Sequence, residues 1–476
     1  MIGIRYRHFN NHALQGRGEI SSRSSPPKAS VLAQVMDAFA SDGNGQSTVT
    51  ALWQALSPAP AATADEGRPV TPKEQWGTKR RIAELIEHLD DDAMDELIDR
   101  VTRMGGGPKF ITKFFPQASW LWRQWSGTVL QHTWKPALLM MLVSSALVAY
   151  METNRTWPLL EVPSESSSAV RNLFGLNKMW SYLLTFATFV NSFFLSQSYG
   201  FWLATKGNVR KVQGRLNDLG LLLATHAERD EETGRFSVYS RTLLDDVARY
   251  TRLFHMLFYA GMVRPARGDE GASISVLRTD RGLARLMKRG CLTKAEHDLL
   301  VGDTFRVPET QRHSVVLQWI TARFVQARRA GKLDGGAGFE SLFLDKALLL
   351  RAVCASIADD AAARMPLAYV HLVQILVDVL VVLAPFALYG KIGFFTIPLV
   401  GVLTIFFRGF LALSKSFLDP FGNEDSLSEN MSVHCLLCET NAGSIRWSNG
   451  IEELPFGKRV PLIGTSEMAD WAEGTK

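Results

Sequence analysis

Residues 365–390 read MPLAYVHLVQILVDVLVVLAPFALYG, an apolar run into which only Asp378 and His371 bring charge. A helix rises about 1.5 Å per residue, so the stretch from Met365 to Tyr389 can cross a hydrocarbon layer of roughly 30 Å. A second run, Ile392 to Leu413, follows after a tight turn expected at Gly390. Two earlier runs have the same character: Trp134 to Met151 (WKPALLMMLVSSALVAYM) and Trp180 to Trp202 (WSYLLTFATFVNSFFLSQSYGFW). Trp134, Trp180 and Trp202 flank them, where amphipathic rings favour the membrane interface. The competing reading is four buried helices of a large soluble core. Core helices seldom run beyond about 20 residues with so few charges. The expectation is an all-α membrane protein with four transmembrane helices per subunit.

Composition alone hides this partition. The chain has 476 residues, 46% hydrophobic and 21% charged, close to a soluble average. Four cysteines exclude a disulfide-dense secreted scaffold. A net charge of +5 on this length argues against dedicated nucleic-acid binding, which needs a clustered basic face. No phosphate loop, dinucleotide fingerprint or Ser-His-Asp order supports an enzyme.

The pattern divides the chain into five parts. Residues 1–104 form a flexible Ser/Gly/Pro/Ala-rich extension with one helical stretch at about 78–104, where Ile82, Leu85, Ile86 and Leu89 fall at helical spacing. Asp90 to Asp92 reads there as a solvated turn or helix start. The first 35 residues hold one acidic residue, Glu19, compatible with an organelle transit peptide but not with a secretory signal. Residues 105–202 hold the first two membrane helices. Residues 203–364 are a polar, helical cytosolic region with 26 Lys and Arg against 19 Asp and Glu. That excess places it, and both termini, on the cytosolic or stromal side. Residues 365–413 are the third and fourth membrane helices, and 414–476 a C-terminal tail.

Several short motifs stand in a telling order. Pro366-Leu367 precedes the third apolar run and Asp419-Pro420-Phe421-Gly422 follows the fourth. Gly290 to His297 (GCLTKAEH), Arg249-Tyr250, Arg351 with Cys354, and Trp125-Ser126-Gly127 accompany them. Together they resemble the bestrophin family over about residues 105–440, and the Asp-Pro-Phe-Gly form is closer to its bacterial and plant members. The resemblance implies a homopentameric channel in a cell-surface, chloroplast or other internal membrane. It would pass inorganic anions such as chloride or bicarbonate, although bacterial relatives can pass cations. A non-conducting membrane scaffold and an anion carrier are the alternatives. The carrier would call for an internal repeat or broken helix pair, and neither is evident.

The resemblance places a hydrophobic neck on the second membrane helix at Thr185, Phe189 and Phe193, four apart on one face. Rings of Phe189 and Phe193 would gate by dewetting. The positive edges of their aromatic rings would favour anions. A one-residue shift would nominate Leu184, Thr188 and Ser192, and plain helix packing would also explain the phenylalanines. Phe201 stands where the family has Arg, and Thr185 is more polar than its usual aliphatic residue. A cytosolic constriction is expected near Gly338 or Phe339, with Phe339 chosen and core packing an equal contender. No cofactor is required, but calcium is a candidate ligand of Asp419, Asn423, Glu424 and Asp425. Leu427 occupies a position where the family supplies a carboxylate, and a capped helix end explains the run equally well.

His371 and Asp378, seven apart, share a helix face and would form either a buried packing pair or part of an ion path. Cys435-x-x-Cys438 lacks the second ligand pair of a zinc site. The Asn154 sequon lies too near the membrane for modification. Asp42 to Gly45 (DGNG) reads as a turn.

Overall fold

The computed structural model describes residues 91–111, 123–125, 127–152, 168–263, 269–302, 307–423 and 431–453. Among these the regular structure is helical, with two isolated β-bridges, Ala227 to Leu333 and Arg229 to Phe236. In chain order the helices are α1 (Asp91–Thr102), α2 (Val129–Glu152), α3 (Ser168–His226), α4 (Val238–Met262), α5 (Asp269–Val276), α6 (Asp280–Lys288) and α7 (Lys294–Val301). They continue as α8 (Arg312–Arg329), α9 (Ala337–Ala362), α10 (Leu367–Ile392), α11 (Thr396–Phe417), α12 (Val433–Ser444) and α13 (Arg446–Gly450). The Asp42–Gly45 turn and the Asn154 sequon lie outside the described residues.

Two stretches among the described residues, Val129–Glu152 and Leu367–Phe417, are long and apolar enough to cross a membrane. The second holds α10 and α11. Their break falls at Gly393, not at Gly390 as the sequence suggested. Gly390 stays helical, whereas Gly393 takes φ +50, a conformation costly for any residue with a Cβ. The run from Trp180 to Trp202 forms part of α3, a single helix of 59 residues and about 90 Å. It carries Ser181, Thr185, Thr188, Asn191 and Ser192 within its apolar half, which makes it more polar than its neighbours.

Polar side chains fasten α3 to the hairpin. Asn177 Nδ2 donates to the Ala387 carbonyl at 2.8 Å, Trp180 Nε1 to Leu380 at 2.9 Å, and Asn191 Nδ2 to Phe407 at 3.2 Å. Trp180 is therefore buried inside the bundle rather than set at an interface. Its acceptor lies next to Val381, whose carbonyl lacks the usual helical donor because residue 385 is proline. On the other side, α2 approaches α11 where side chains are smallest. A Cβ on Gly409 would stand 2.6 Å from Val129 Cγ1, so residue 409 must be glycine for this contact. Asp378 and Arg408 meet between α10 and α11 at 2.7 Å, with the Asp378 carboxylate also accepting from Gln374. His371, its expected partner, is exposed.

The polar half packs α4 and α9 on the lower part of α3 and α8 on α4, with Phe254, Phe324 and Phe343 fully buried. Thr293 opens α7 with a capping box: its hydroxyl accepts from Glu296 N, and Glu296 accepts from Thr293 N. The same carboxylate takes two bonds from Arg249, at 2.6 and 2.9 Å, and one from the Tyr250 hydroxyl at 2.7 Å. Two motifs 47 residues apart thus meet in one bidentate cluster. Burial pushes the Glu296 carboxyl up, but the bonds from Arg249, the Thr293 amide and Tyr250 outweigh it and hold it at about 2. Gly290, at φ +70, turns the chain between α6 and α7. One buried group has no such compensation. His255 is fully enclosed, neither ring nitrogen has a hydrogen-bond partner among the described residues, and burial lowers its pKa to about 3.

Acid should destabilise this half in two stages. His255 takes up a proton on unfolding near 6.5 but resists it while folded, so stability falls as pH drops from about 6.5 toward 3. The Glu296 contribution is full above 4.5 and is lost toward pH 2. Thermal unfolding of detergent-solubilised protein between pH 7.5 and 4, on scales of roughly one titrating group, should show the first stage. His255→Phe should flatten that stage, and an unchanged slope would assign it to another group. Between α10 and α11, Arg408→Met should cost about 3–5 kcal/mol by stranding the Asp378 carboxylate. Adding Asp378→Leu should recover most of that loss in the same unfolding measurement.

Candidate pore-lining face

The buried side of α3 in the apolar half is defined by Trp180, Ala187, Asn191, Phe194 and Ser198. At about 100° per residue these positions fall on one narrow stripe facing α10 and α11. Phe194 confirms the direction: its ring meets Tyr369 edge-on with centroids 5.7 Å apart. Diametrically opposite lie Tyr182, Thr185, Phe189, Phe193, Ser196 and Gly200, all exposed. Phe189 is 70% and Phe193 50% accessible. Within one chain, therefore, these rings do not pack the bundle. The alternative register of Leu184, Thr188 and Ser192 lies on the flank, with Leu184 half-buried. Thr185 and Thr188 return their hydroxyl protons to the carbonyls of Ser181 and Leu184. That leaves their methyl groups and oxygen lone pairs, rather than free O–H donors, for the surface.

Below this face the helix turns basic. Lys206, Arg210, Lys211 and Arg215 follow Trp202 within about four turns. Lys206 Nζ stands 5.2 Å over the Trp202 ring, and that ring packs on Phe417 at the end of α11. Arg210 pairs with Glu439 at 2.5 Å and Arg215 with Asp218 at 2.9 Å.

Phe339 sits in the first turn of α9, 7% exposed. Its ring stacks on His226 at 3.9 Å and meets Phe324 edge-on at 5.5 Å, so its own chain encloses it. The exposed residues of that turn are Ala337 and Gly338, and Ser341 and Leu342 follow, exposed, in the next. Gly335 takes φ +108 to bring the chain over His226.

Of the four calcium candidates, Glu424 and Asp425 lie outside the described residues. Asp419 is almost fully buried and its Oδ1 accepts from the Asn423 amide at 3.0 Å. An Arg364 guanidinium nitrogen lies 3.6 Å from the same oxygen. The Asn423 side-chain amide points to the Met262 carbonyl at 3.5 Å. A cation at this carboxylate would face a guanidinium, and Asn423 turns its donor rather than an oxygen toward its neighbour. These two residues do not fit a calcium ion as they stand. Cys435 and Cys438 are free, buried thiols on α12, and burial together with Glu439 pushes Cys435 up to about 11. Among the described residues no three His, Cys, Asp or Glu side chains gather to hold a metal.

Sequence reasoning passed over Arg408. It is the one basic residue within the fourth apolar run, and its period relative to Asp378 becomes visible only when the hairpin closes at Gly393. It likewise passed over the acidic face of α1, whose carboxylates recur every four residues.

A family model described as bacterial/fungal bestrophin protein matches residues 283–433. Comparison with curated protein sequences finds no match. Among solved structures, the chain is similar to a bacterial bestrophin homologue from Klebsiella pneumoniae, at 16% identity and TM-score 0.49, covering 67% of this chain and 98% of that one. A single-substitution variant of that homologue gives 16% identity, TM-score 0.48, and 67% and 99% coverage. The matched segment runs from α6 through the α10–α11 hairpin and Asp419-Pro420-Phe421-Gly422 to the start of α12, and over that segment the chain is similar to the bestrophin family.

Proposed function

We propose that this chain is the subunit of an anion channel, a homopentamer in which five copies of α3 line one conducting path. The observation that carries the reading is the outward face of α3. Thr185, Phe189 and Phe193 stand opposite the stripe that binds α10 and α11, and the two aromatic rings are left uncovered by their own chain. Exposed phenylalanines on a helix already fixed along its other side call for a second covering surface. Other copies of the same helix supply it. In that arrangement the three positions stack over about 12 Å along the path. Five rings of Phe189 and five of Phe193 make a constriction that excludes water until it widens. Ring edges turned inward would favour chloride or bicarbonate over a cation. The basic turn from Lys206 to Arg215 would raise the local anion concentration below the neck.

The four-crossing arrangement belongs to this reading. Helices α2, α10 and α11 contact lipid on their outer faces, with Leu138, Leu142, Leu372 and Val402 exposed. Helix α3 is sheltered by the assembly, which accommodates its exposed serines and threonines. The cytosolic narrowing is assigned to the first turn of α9 at Gly338 rather than to Phe339, whose ring is committed to His226 and Phe324. Conduction needs no calcium on this view, because Arg364 already neutralises Asp419.

Planar-bilayer recording of the purified protein under asymmetric chloride tests the reading. An anion-selective current, unchanged by micromolar calcium, is expected. Phe189→Ala and Phe193→Ala should each raise the macroscopic current severalfold, on the order of 1 kcal/mol of lowered barrier, by widening and wetting the neck. Silence from protein shown to be folded and pentameric would favour a scaffold, and a cation-selective current would overturn the aromatic-edge argument.

A further inference from the structure

Helix α1 belongs to the N-terminal extension, yet it is held more firmly than an extension needs to be. Its carboxylates Asp91, Asp95 and Asp99 stand against Arg281 and Arg285 of α6 and Arg289 at its C-terminal cap, each pair separated by 190 residues. A constant offset means that the two helices run parallel and in register, one pair per turn. Asp91 meets Arg281 at 2.9 Å and Arg285 at 2.5 Å, and Asp95 meets Arg285 at 2.8 Å. The adjacent face of α1 is apolar, and Met94, Ile98 and Val101 are fully buried.

The other end of α1 is held by the C-terminal region. The buried Asn441 of α12 donates from Nδ2 to the carbonyls of Val101, at 2.9 Å, and Arg103, at 3.1 Å. These are among the acceptors that a helix end leaves without partners. The Gly105 amide donates to Cys438, and the Ser432 amide, at the mouth of α12, donates to the Phe110 carbonyl at 3.0 Å. A Cβ on Gly107 would lie 2.9 Å from that of Cys438, so the chain passes as close to α12 as glycine permits. Helix α12 in turn grips the lower half of α3. Glu439 accepts from Arg210 and from Gln213 Nε2, the latter at 2.9 Å, and the Arg210 guanidinium lies 4.1 Å from the Phe110 ring.

We infer that residues 91–111 form a charge-registered latch that clamps α12 onto the lower half of α3, so that releasing α1 from α6 loosens α12 in the same event. The latch joins the two ends of the chain on one helix. Its three carboxylates are largely solvent-facing, which leaves the ladder open to screening by salt, while the apolar seam and Asn441 set its register. Its effect on current rests on the channel reading; its effect on α12 does not.

The test is hydrogen exchange on the full-length protein. Carrying Asp91→Arg, Asp95→Arg and Asp99→Arg together should speed exchange of the amides in 91–111 and in 433–444 by about tenfold or more. Adding Arg281→Asp, Arg285→Asp and Arg289→Asp restores opposite charges at every rung and should return both segments to wild-type protection. For the unmodified protein, raising salt from 50 to 500 mM should move both segments in the same direction, which keeps the test open if the reversed variant does not fold. Loss of protection in 91–111 with 433–444 unchanged would overturn the latch, as would failure of the charge swap to restore protection. In bilayers the reversed variant should change open probability and the swap should restore it. A wild-type protein without current would sink the channel reading and leave the exchange result standing.

Discussion

A helix of 59 residues that is anchored on one side only is the constraint around which everything else is arranged. Asn177, Trp180 and Asn191 spend their polar atoms on backbone carbonyls of α10 and α11, and this fixes the rotation of α3 about its own axis. Once the rotation is fixed, Thr185, Phe189 and Phe193 have one place to point. The same rod continues without a break into the polar half, where α4 and α9 pack on it and α12 holds Arg210 and Gln213. The two halves of the protein therefore share one backbone element, and no hinge separates the candidate neck from the polar bundle.

Charge is handled consistently along this frame. Three buried carboxylates each meet a guanidinium: Asp378 with Arg408, Glu296 with Arg249, and Asp419 with Arg364. Each is a guanidinium–carboxylate pair, and the Glu296 pair has the bidentate geometry in which arginine outperforms lysine. The pairs tie together segments distant in sequence, so they fix which helix lies beside which. Hydrophobic burial, being non-directional, cannot do that alone.

Much of this was legible in the sequence. The α10–α11 hairpin announced itself by length and hydrophobicity, whereas Phe189 and Phe193 were singled out by the family resemblance, and the structure adds that both rings are exposed on one face of α3. The motifs around Arg249 and Glu296 could be quoted separately, but not the bond between them, because nothing local links residues 47 apart. The turn was placed at Gly390 because glycine is the usual punctuation; the break came where a left-handed φ was required, at Gly393. Trp180 looked like an interface residue because its flank is polar, yet its indole N–H found a carbonyl near the Pro385 discontinuity. Phe339 illustrates a different limit. Its helical spacing with Leu342 and Phe343 fitted a core residue and a constriction equally, and only the position of His226 decides which way the ring turns. In the acidic run, Asp91 opens a helix and stays largely solvent-facing, as its sequence suggests, and it is in addition a rung of a ladder. A period of four could be seen in both helices, but not that they lie parallel.

The Asp378–Arg408 pair also bears on how the chain enters its membrane. Asp378 lies about 16 Å along α10, and Arg408 a similar distance along α11, so neither sits at a helix end where it could reach water. A lone α10 would carry an uncompensated carboxylate into hydrocarbon, and a lone α11 an uncompensated guanidinium. The three-residue link Gly393–Phe395 is too short to let one helix wait far from the other. On the channel reading, inserting the two as one helical hairpin would carry both charges into hydrocarbon already paired, so the insertion unit would be the pair of helices rather than the single span.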